Sequence, residues 1–486
     1  MNMPTANRRF ARMPEGRRFA WVAAISVLAA AAVVLMVDDD LRELLAPAVA
    51  IAALAFLYLV VMTKREGSLP IFEAATFFVL ATSVYSIVPL LQFVMSGMEC
   101  VIYGDYRLFI YAPTPQEFGR FAWRHVLLLA SFVFPYLIVR GKRLWPRHDF
   151  AEPPAPMLFV IVSLVVVLSA FFAALDVYLG PSVSVYEGGV PSYLQLPYIV
   201  QQFANISGMV LVTLKQCLLI VLLSWWKKPR WRSVLLLWIA IELLLAAAGF
   251  RESRTNTVIL LLTFVVGYHL IVRPIRIGAA FATGAIVLAG ILAFGLFRDV
   301  GVAYMKTDPR AVWGSPTEFQ ILYGNAYDIH MHKVQRRLPP VPRQLFFSDF
   351  YRLVPSQILP FKKWDTGDWY KEKVYEYESA PGMGFMFGIV AQSVLGYDWL
   401  ELVLRGVMLA LFYAAAHRFW RRYSGSFWAT IAYLFVLTWA YYAFRASSFE
   451  ILYRLFYYLL PTAILVKLLT ALVSVPIRLR VKKAPA

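Results

Sequence analysis

Four arginines have the residue type and the position needed to bind a phosphate. Arg251 and Arg254 stand in the turn 249–254 between two apolar runs, while Arg298 and Arg445 each close a later run. Guanidinium groups bind phosphate oxygens through forked, charge-assisted hydrogen bonds, and a low-dielectric setting strengthens these bonds. The alternative is that each arginine merely extends toward lipid headgroups. Taken together, the four predict a pyrophosphate site that needs no metal.

Group transfer from a diphosphate also needs a base that deprotonates an acceptor hydroxyl. The candidates between the last two groups of apolar runs are Glu318, Asp328, His330 and His332, and we prefer His330. His330 and His332 alternate like ligands on a strand, but no cysteine or H-E-x-x-H arrangement accompanies them, so we predict no metal site. Ordinary loop surface is the alternative for each candidate.

Two further charged groups lie in or beside apolar runs. Lys215 and Glu242 fall near the middle of neighbouring runs, and we predict that they pair across two helices rather than take part in catalysis. Residues 38–40 are three aspartates after the first run. They are similar to the acidic motif of GT-C glycosyltransferases, but the loop that holds them is short, so an acidic outer boundary is the alternative.

Composition indicates what must hold these residues in place. Of 486 residues, 60% are hydrophobic and 16% are charged, and the mean hydropathy is +0.62. These values lie far from those of soluble globular chains, which predicts that lipid surrounds most of the protein. The net charge of +18 lies in clusters that recur after every second apolar run, which is the positive-inside pattern rather than a nucleic-acid surface.

The apolar runs predict an all-α polytopic membrane protein. A bilayer core of roughly 30 Å needs about 20 apolar residues in a helix. That rule predicts about twelve spans, with both termini cytoplasmic and an uncleaved signal anchor first. The spans lie near residues 19–37, 45–62, 70–95, 121–139, 157–178, 203–224, 233–250, 256–272, 277–297, 399–416, 426–444 and 449–472.

The predicted organisation has three parts. Residues 1–297 form a bundle of about nine helices, residues 298–398 form a large periplasmic loop, and residues 399–486 form three helices with a basic cytoplasmic tail. The apolar segment 382–397 is short and glycine-rich, so we predict an amphipathic or re-entrant helix there. The aromatic residues of the loop predict either a glycan-binding surface or a packed subdomain. They are Trp313, Tyr323, Tyr327, Trp364, Trp369, Tyr370, Tyr375 and Tyr377.

Three local patterns resemble the O-antigen polymerase family, also called oligosaccharide repeat unit polymerases. They are Tyr85-Ser86-Ile87-Val88-Pro89-Leu90, Gly249-Phe250-Arg251-Glu252-Ser253-Arg254 and Gly382-Met383-Gly384-Phe385 followed by Gly396. One departure is that no arginine in 298–398 has a glycine eleven residues later, as some members do.

The resemblance implies a metal-independent and cofactor-free glycosyltransferase of the bacterial inner membrane. It would polymerise undecaprenyl-pyrophosphate-linked oligosaccharide for O-antigen or exopolysaccharide, releasing undecaprenyl pyrophosphate. Arg251, Arg254, Arg298 and Arg445 would hold the leaving group, and His330 would activate the acceptor. Membrane lipid, a chain-length regulator and a flippase are the expected partners, without nucleic acid. The alternatives are a GT-C glycosyltransferase, an O-antigen ligase and, in another class, a flippase or transporter of lipid-linked glycan.

Overall fold

The structure is a computed structural model, and it describes most of the chain. The described residues are 30–32, 34–66, 70, 72–96, 102–103, 110–140, 153–179, 196–247, 254–273, 275, 317–354, 358–359, 363–376, 387–423 and 425–474. Within them the chain is helical apart from two short strands. Seven helices are long and apolar enough to cross a membrane, which confirms a multi-pass, all-helical membrane protein.

The elements follow one another along the chain. The strands are β1 (Ile102–Tyr103) and β2 (Ile110–Tyr111), which pair antiparallel. The helices are α1 (Asp39–Glu66), α2 (Ala74–Met95), α3 (Pro115–Val139), α4 (Ala155–Leu179), α5 (Tyr198–Ser224), α6 (Pro229–Ala247), α7 (Arg254–Gly267), α8 (Glu318–Val334), α9 (Ser348–Tyr351), α10 (Thr366–Val374), α11 (Gly388–Leu395), α12 (Trp399–Tyr423), α13 (Phe427–Thr438), α14 (Tyr442–Arg445), α15 (Glu450–Arg454) and α16 (Leu460–Ser474). A 3-10 turn covers Arg343–Phe347, and π turns cover Tyr268–Val272 and Leu455–Leu459.

The helices agree with ten of the twelve predicted spans. Seven of the ten correspond to helices long and apolar enough to cross a membrane. The runs near 233–250, 256–272 and 426–444 correspond to α6, α7 with its π turn, and α13, of which the last two are shorter apolar helices. The span near 277–297 and most of the first one lie outside the described residues. The full count of twelve therefore stays a prediction.

The chain divides by contacts into two compact units. Unit 1 comprises residues 1–146, 275–422 and 436–452, and unit 2 comprises residues 147–274, 423–435 and 453–486. In unit 2, α5 packs against α4, α7 and α16. Lys215 on α5 contacts Glu242 on α6 with a 2.8 Å Nζ–Oε2 distance, which confirms the predicted intramembrane ion pair. Trp238 donates its indole N–H to the same carboxylate at 3.0 Å.

In unit 1, α3 packs closely against α1. Gly119 permits the approach, because a Cβ atom there would lie 2.3 Å from the carbonyl oxygen of Glu43. Pro115 occupies the first turn of α3, and Thr114 forms a capping box with Glu117. The turn before α3 is thus encoded locally, while the small residue fixes how the two helices meet.

Four helix ends of unit 1 meet around Arg140. The guanidinium follows α3 and forms ion pairs with Glu66, which ends α1, and with Glu73, which precedes α2. It also contacts His417 near the end of α12, with 3.1 Å between Nη2 and Nε2. The opposite ends of α1 and α3 meet where Gln116 donates to Asp40 at 3.2 Å. Unit 1 therefore has two defined ends, and Arg140 marks one of them.

Helix α8 packs against α2 and α11 in unit 1. All eight residues of α11 are buried. At its first residue, Gly388 has a φ of +71°, and a Cβ atom there would lie 2.9 Å from the carbonyl oxygen of Phe444. Glycine is therefore the residue that lets α11 approach the chain just before Arg445. The predicted three-part division of the chain and the re-entrant character of 382–397 stay predictions.

Candidate functional site

Helix α8 carries chemically capable side chains at both of its ends. Thr317 caps its start by accepting the backbone N–H of Gln320, and donates its own hydroxyl to Gln92 of α2 at 2.9 Å. The cap fixes where α8 begins and ties that point to a membrane-spanning helix. Buried aromatic contacts hold the middle of α8: Tyr323 donates to the carbonyl of Phe118 at 2.7 Å.

The first end of α8 holds a half-buried ion pair, which we name the Glu318 site: Tyr85, Glu318 and Arg445. Arg445 approaches Glu318 with an Nε–Oε1 distance of 2.9 Å, and Tyr85 donates its hydroxyl to the same oxygen at 2.7 Å. The side chain of Arg445 is 24% exposed and that of Glu318 is 36% exposed. The guanidinium also lies over the ring of Tyr442, 5.5 Å from its centroid. A charged pair is thus held in place yet stays accessible.

This geometry suits binding of an oxyanion beside a proton acceptor. Arginine is always protonated and has five N–H donors, and Nε of Arg445 makes the contact with Glu318. An anion that reaches Arg445 also lies next to a carboxylate, which accepts protons. Of the four arginines predicted to bind pyrophosphate, Arg445 is the one whose side chain lies in the described residues.

Near its other end, α8 holds a second cluster, which we name the His330 site: Arg124, His330 and Asp398. Arg124 on α3 forms a two-pronged pair with Asp398, with Nε–Oδ1 and Nη2–Oδ2 both 2.8 Å. Its Nη2 also lies 3.2 Å from Nδ1 of His330. The rings of Phe121 and Trp399 lie 5.0 and 4.8 Å from the guanidinium carbon. Arg124 is therefore buried, paired and fixed in orientation.

The Arg124 contact determines which nitrogen of His330 carries the proton. Arginine has no acceptor atom, so Nδ1 of His330 must accept, which leaves the proton of the neutral ring on Nε2. Burial, with the nearby charge of Arg124, lowers the pKa of His330 to about 4. At neutral pH His330 is consequently a hydrogen-bond donor through Nε2, and its basic lone pair is already occupied.

The interpretation of His330 and His332 as strand-like neighbours is wrong, because both lie on helix α8. Side chains of residues i and i+2 on a helix point to different sides. His332 turns to Asp328 and Tyr375, with Nε2 3.5 Å from Oδ1 and 3.2 Å from the phenol oxygen respectively. The two histidines therefore do not converge on one metal ion or one substrate atom.

Asp328 is the centre of a packed layer rather than an accessible base. Its carboxylate is fully buried and accepts phenol hydroxyls from Tyr111, Tyr370 and Tyr375 at 2.7–2.8 Å. Burial raises the pKa of Asp328, and the three donors act in the opposite direction. Tyr323, Tyr327, Trp369 and Tyr370 are also buried. For the described aromatic residues of this segment, the packed-subdomain alternative therefore fits better than a glycan surface.

The structure brings some predicted residues together and separates others. Arg251 and Arg298 lie outside the described residues, and Arg254 begins α7 in unit 2 without a described side chain. Glu318 and His330 are twelve residues apart on one helix, which places them about 18 Å apart along its axis. Arg445, which pairs with Glu318, and His330 therefore do not share one reaction centre.

Two important residues were missed in the sequence. Arg124 stands inside a predicted span, and a charge at such a position is itself a sign of function. Asp398 was counted as part of the large loop, 274 positions from Arg124 along the chain. No local pattern could have joined residues so far apart.

Comparison with known proteins does not identify the chain. No protein-family model, curated protein or solved structure matches it. The function of the chain is therefore inferred from its side chains and their contacts.

Proposed function

We propose that this chain polymerises undecaprenyl-pyrophosphate-linked oligosaccharide repeat units at the periplasmic face of the bacterial inner membrane, releasing undecaprenyl pyrophosphate. The observation that carries the proposal is the Glu318 site, where an accessible guanidinium and a carboxylate lie side by side against a membrane-spanning helix. In this proposal, the diphosphate of the lipid-linked donor binds at the Glu318 site. Positive charge is needed to stabilise the diphosphate as it leaves the sugar. A base is needed to deprotonate the acceptor hydroxyl.

The topology that goes with this proposal has about twelve spans, cytoplasmic termini and a large periplasmic loop. Support comes from unit 1, where Arg140 marks one end and Lys64 and Arg65 close α1 beside it. Arg421 and Arg422 close α12, which also sends His417 to that end. The positive-inside rule assigns such an end to the cytoplasm. Asp398, which precedes the other end of α12, is then periplasmic.

The proposed reaction transfers a glycan between two lipid-linked substrates. The acceptor hydroxyl oxygen attacks the anomeric carbon of the donor, its proton passes to Glu318, and the bond from that carbon to the diphosphate oxygen breaks. The bonding electrons leave with the diphosphate, and Arg445 stabilises the resulting charge. The anion-binding roles predicted for Arg251, Arg254 and Arg298 stay predictions.

The role proposed for His330 differs from the general base that the sequence predicts. Its Nε2–H donates to an oxygen of the acceptor glycan, and Asp398 and Arg124 hold the ring for that purpose. The separation of about 18 Å along α8 suits an extended oligosaccharide that touches both sites. Glu318 thereby replaces His330 as the preferred base.

The test uses cells that lack the wild-type protein and express a variant in its place. The lengths of their lipid-linked glycans are measured. Arg445→Ala should abolish the ladder of polymer lengths and leave single repeats, since loss of one charge-stabilising donor lowers a rate by about 10²–10³. Arg445→Lys should restore part of the ladder. The matched control is Arg120→Ala, which removes an exposed arginine with a loose 3.8 Å contact to Glu43.

Other outcomes would contradict the proposal in distinct ways. Full-length polymer that stays unattached to its final acceptor would indicate a ligase. Loss of all outward-facing repeats would indicate a flippase. An unchanged ladder in Arg445→Ala would remove the Glu318 site from the reaction.

A further inference from the structure

One segment of unit 1 lies beside the first half of a membrane-spanning helix, although sequence assigns it to an aqueous loop. The segment comprises the 3-10 turn Arg343–Phe347 and helix α9. Asp349 on α9 contacts Arg405 on α12, with 2.9 Å between Oδ2 and Nη1. Arg405 lies six residues into α12, about 9 Å from its start. The segment therefore reaches the depth of the span itself.

Further contacts fix this position along α12. Phe346 lies 4.9 Å from Tyr397, just before α12, measured between ring centroids. Gln392 of α11 donates to Asp349 at 3.1 Å, and Arg405 donates to Ser448 at 2.8 Å. Asp349 and Arg405 are both buried, and Oδ2 of Asp349 makes both of these contacts, so the charge of the segment is paired inside the protein.

The other side of the segment is apolar and exposed. We name Phe347 and Phe350 the shelf; they are 65% and 38% exposed. Neighbouring α12 exposes Leu400, Leu404 and Leu411, which recur at helical spacing and form its lipid-facing stripe. Large apolar side chains that are exposed at the depth of a membrane span have hydrocarbon as their natural surroundings.

We propose that the shelf is embedded in the bilayer and binds acyl chains of the leaflet at the Asp398 end of α12. The backbone of the turn and of α9 is helical, with Leu345 N–H donating to the carbonyl of Pro342 at 3.0 Å and Arg352 N–H to that of Ser348 at 3.1 Å. Helical backbone and a paired Asp349 are what a segment at membrane depth requires. The exposed Arg343 at its start provides a cation for lipid phosphate. This inference concerns the surroundings of the segment and does not depend on the proposed reaction.

The test measures what surrounds single spin labels on the full-length protein in phosphatidylcholine nanodiscs. Cys100 and Cys217 are first replaced by serine and alanine, and one cysteine is then introduced by Phe347→Cys. Collisions with oxygen, which concentrates in lipid, and with a water-soluble nickel chelate are compared. Leu404→Cys gives the lipid reference. Asp368→Cys gives the aqueous reference, because Asp368 is a charged side chain of α10 that is 51% exposed.

The label at 347 should behave like the label at 404, with oxygen collisions dominant, and unlike the label at 368. Nickel accessibility equal to that at 368 would overturn the proposal, because the shelf would then lie in water. Low accessibility to both reagents would overturn it as well, since protein would then cover the shelf. Phe350→Cys repeats the measurement if Phe347→Cys does not fold, and the same outcomes apply.

Discussion

The two ends of helix α8 hold a cation in opposite ways. At the Glu318 site, Arg445 and its carboxylate are 24% and 36% exposed, and one nitrogen–oxygen contact of 2.9 Å joins them. At the His330 site, the side chain of Arg124 is 7% exposed, joined to Asp398 by two 2.8 Å contacts and enclosed by two aromatic rings. The first arginine is partly exposed, and we propose that it binds a substrate anion, whereas the second is buried within the protein.

This difference separates a reacting cation from a positioning one. A partly exposed ion pair contributes less to stability than a buried one, so the pair of Arg445 with Glu318 costs less to break when an anion arrives. A buried pair is different, because removal of one partner leaves an uncompensated charge in a low-dielectric setting. The comparison predicts that changes at the Glu318 site affect turnover, and that changes at Asp398 affect stability first.

The largest effect is expected from Glu318→Gln. The amide keeps the shape and still accepts the hydroxyl of Tyr85, but it cannot take a proton, so the rate of glycan elongation should fall by about 10²–10⁴. The measurement is elongation of lipid-linked repeats by the purified protein, with the thermal midpoint as a check on folding. Glu43→Gln is the matched control, since Glu43 is also 36% exposed and has an arginine neighbour. Wild-type elongation by Glu318→Gln would assign the base elsewhere.

Asp398→Ala should destabilise the protein by about 3 kcal/mol, because Arg124 would be left buried without its carboxylate. Glu318→Ala should cost below about 1 kcal/mol, as expected for a partly exposed pair. The free energy of unfolding in detergent titrations measures both. Equal losses for the two variants would contradict the distinction between the sites.

The sequence predicted the membrane-spanning helices far better than it predicted these sites. A run of apolar residues by itself predicts a membrane-spanning helix. Lys215 and Glu242 lie near the middle of neighbouring runs, which was enough to predict their contact. The clusters of α8 depend instead on long-range packing: Tyr85 meets Glu318 across 233 positions. The alternation of His330 and His332 is typical of a strand when it is taken alone. Thr317, however, caps the start of a helix that runs through both residues.

A smaller effect is expected at His330. If Nε2 donates to an acceptor oxygen, His330→Gln should stay near the wild-type rate, because its amide supplies a donor at a similar reach. His330→Ala should raise the KM for the acceptor about fivefold, the worth of one neutral hydrogen bond, with little change in kcat. Steady-state kinetics with purified acceptor distinguishes the two roles. Equal losses of a hundredfold or more in kcat for both variants would restore His330 as the base.

The smallest effect is expected from the protonation of His330 when the pH is lowered. It concerns the free energy of unfolding. Its folded pKa of about 4 lies below the ordinary value of 6.5, mainly through burial and secondly through Arg124. Between those two pH values the unfolded chain binds more protons at this position than the folded chain does. The contribution of His330 to the free energy of unfolding is therefore complete above pH 6.5 and falls as the pH drops toward 4.

Nitrogen NMR of ring-labelled histidine should accordingly show His330 neutral, with its proton on Nε2, from pH 8 down to pH 5. The signal is assigned by its loss in His330→Gln. A proton on Nδ1 would mean that Arg124 does not donate to this ring, and titration near pH 6.5 would mean that the ring is not buried. Arg124→Gln should raise the pKa of His330 without bringing it to the ordinary value, because burial, the larger cause, remains.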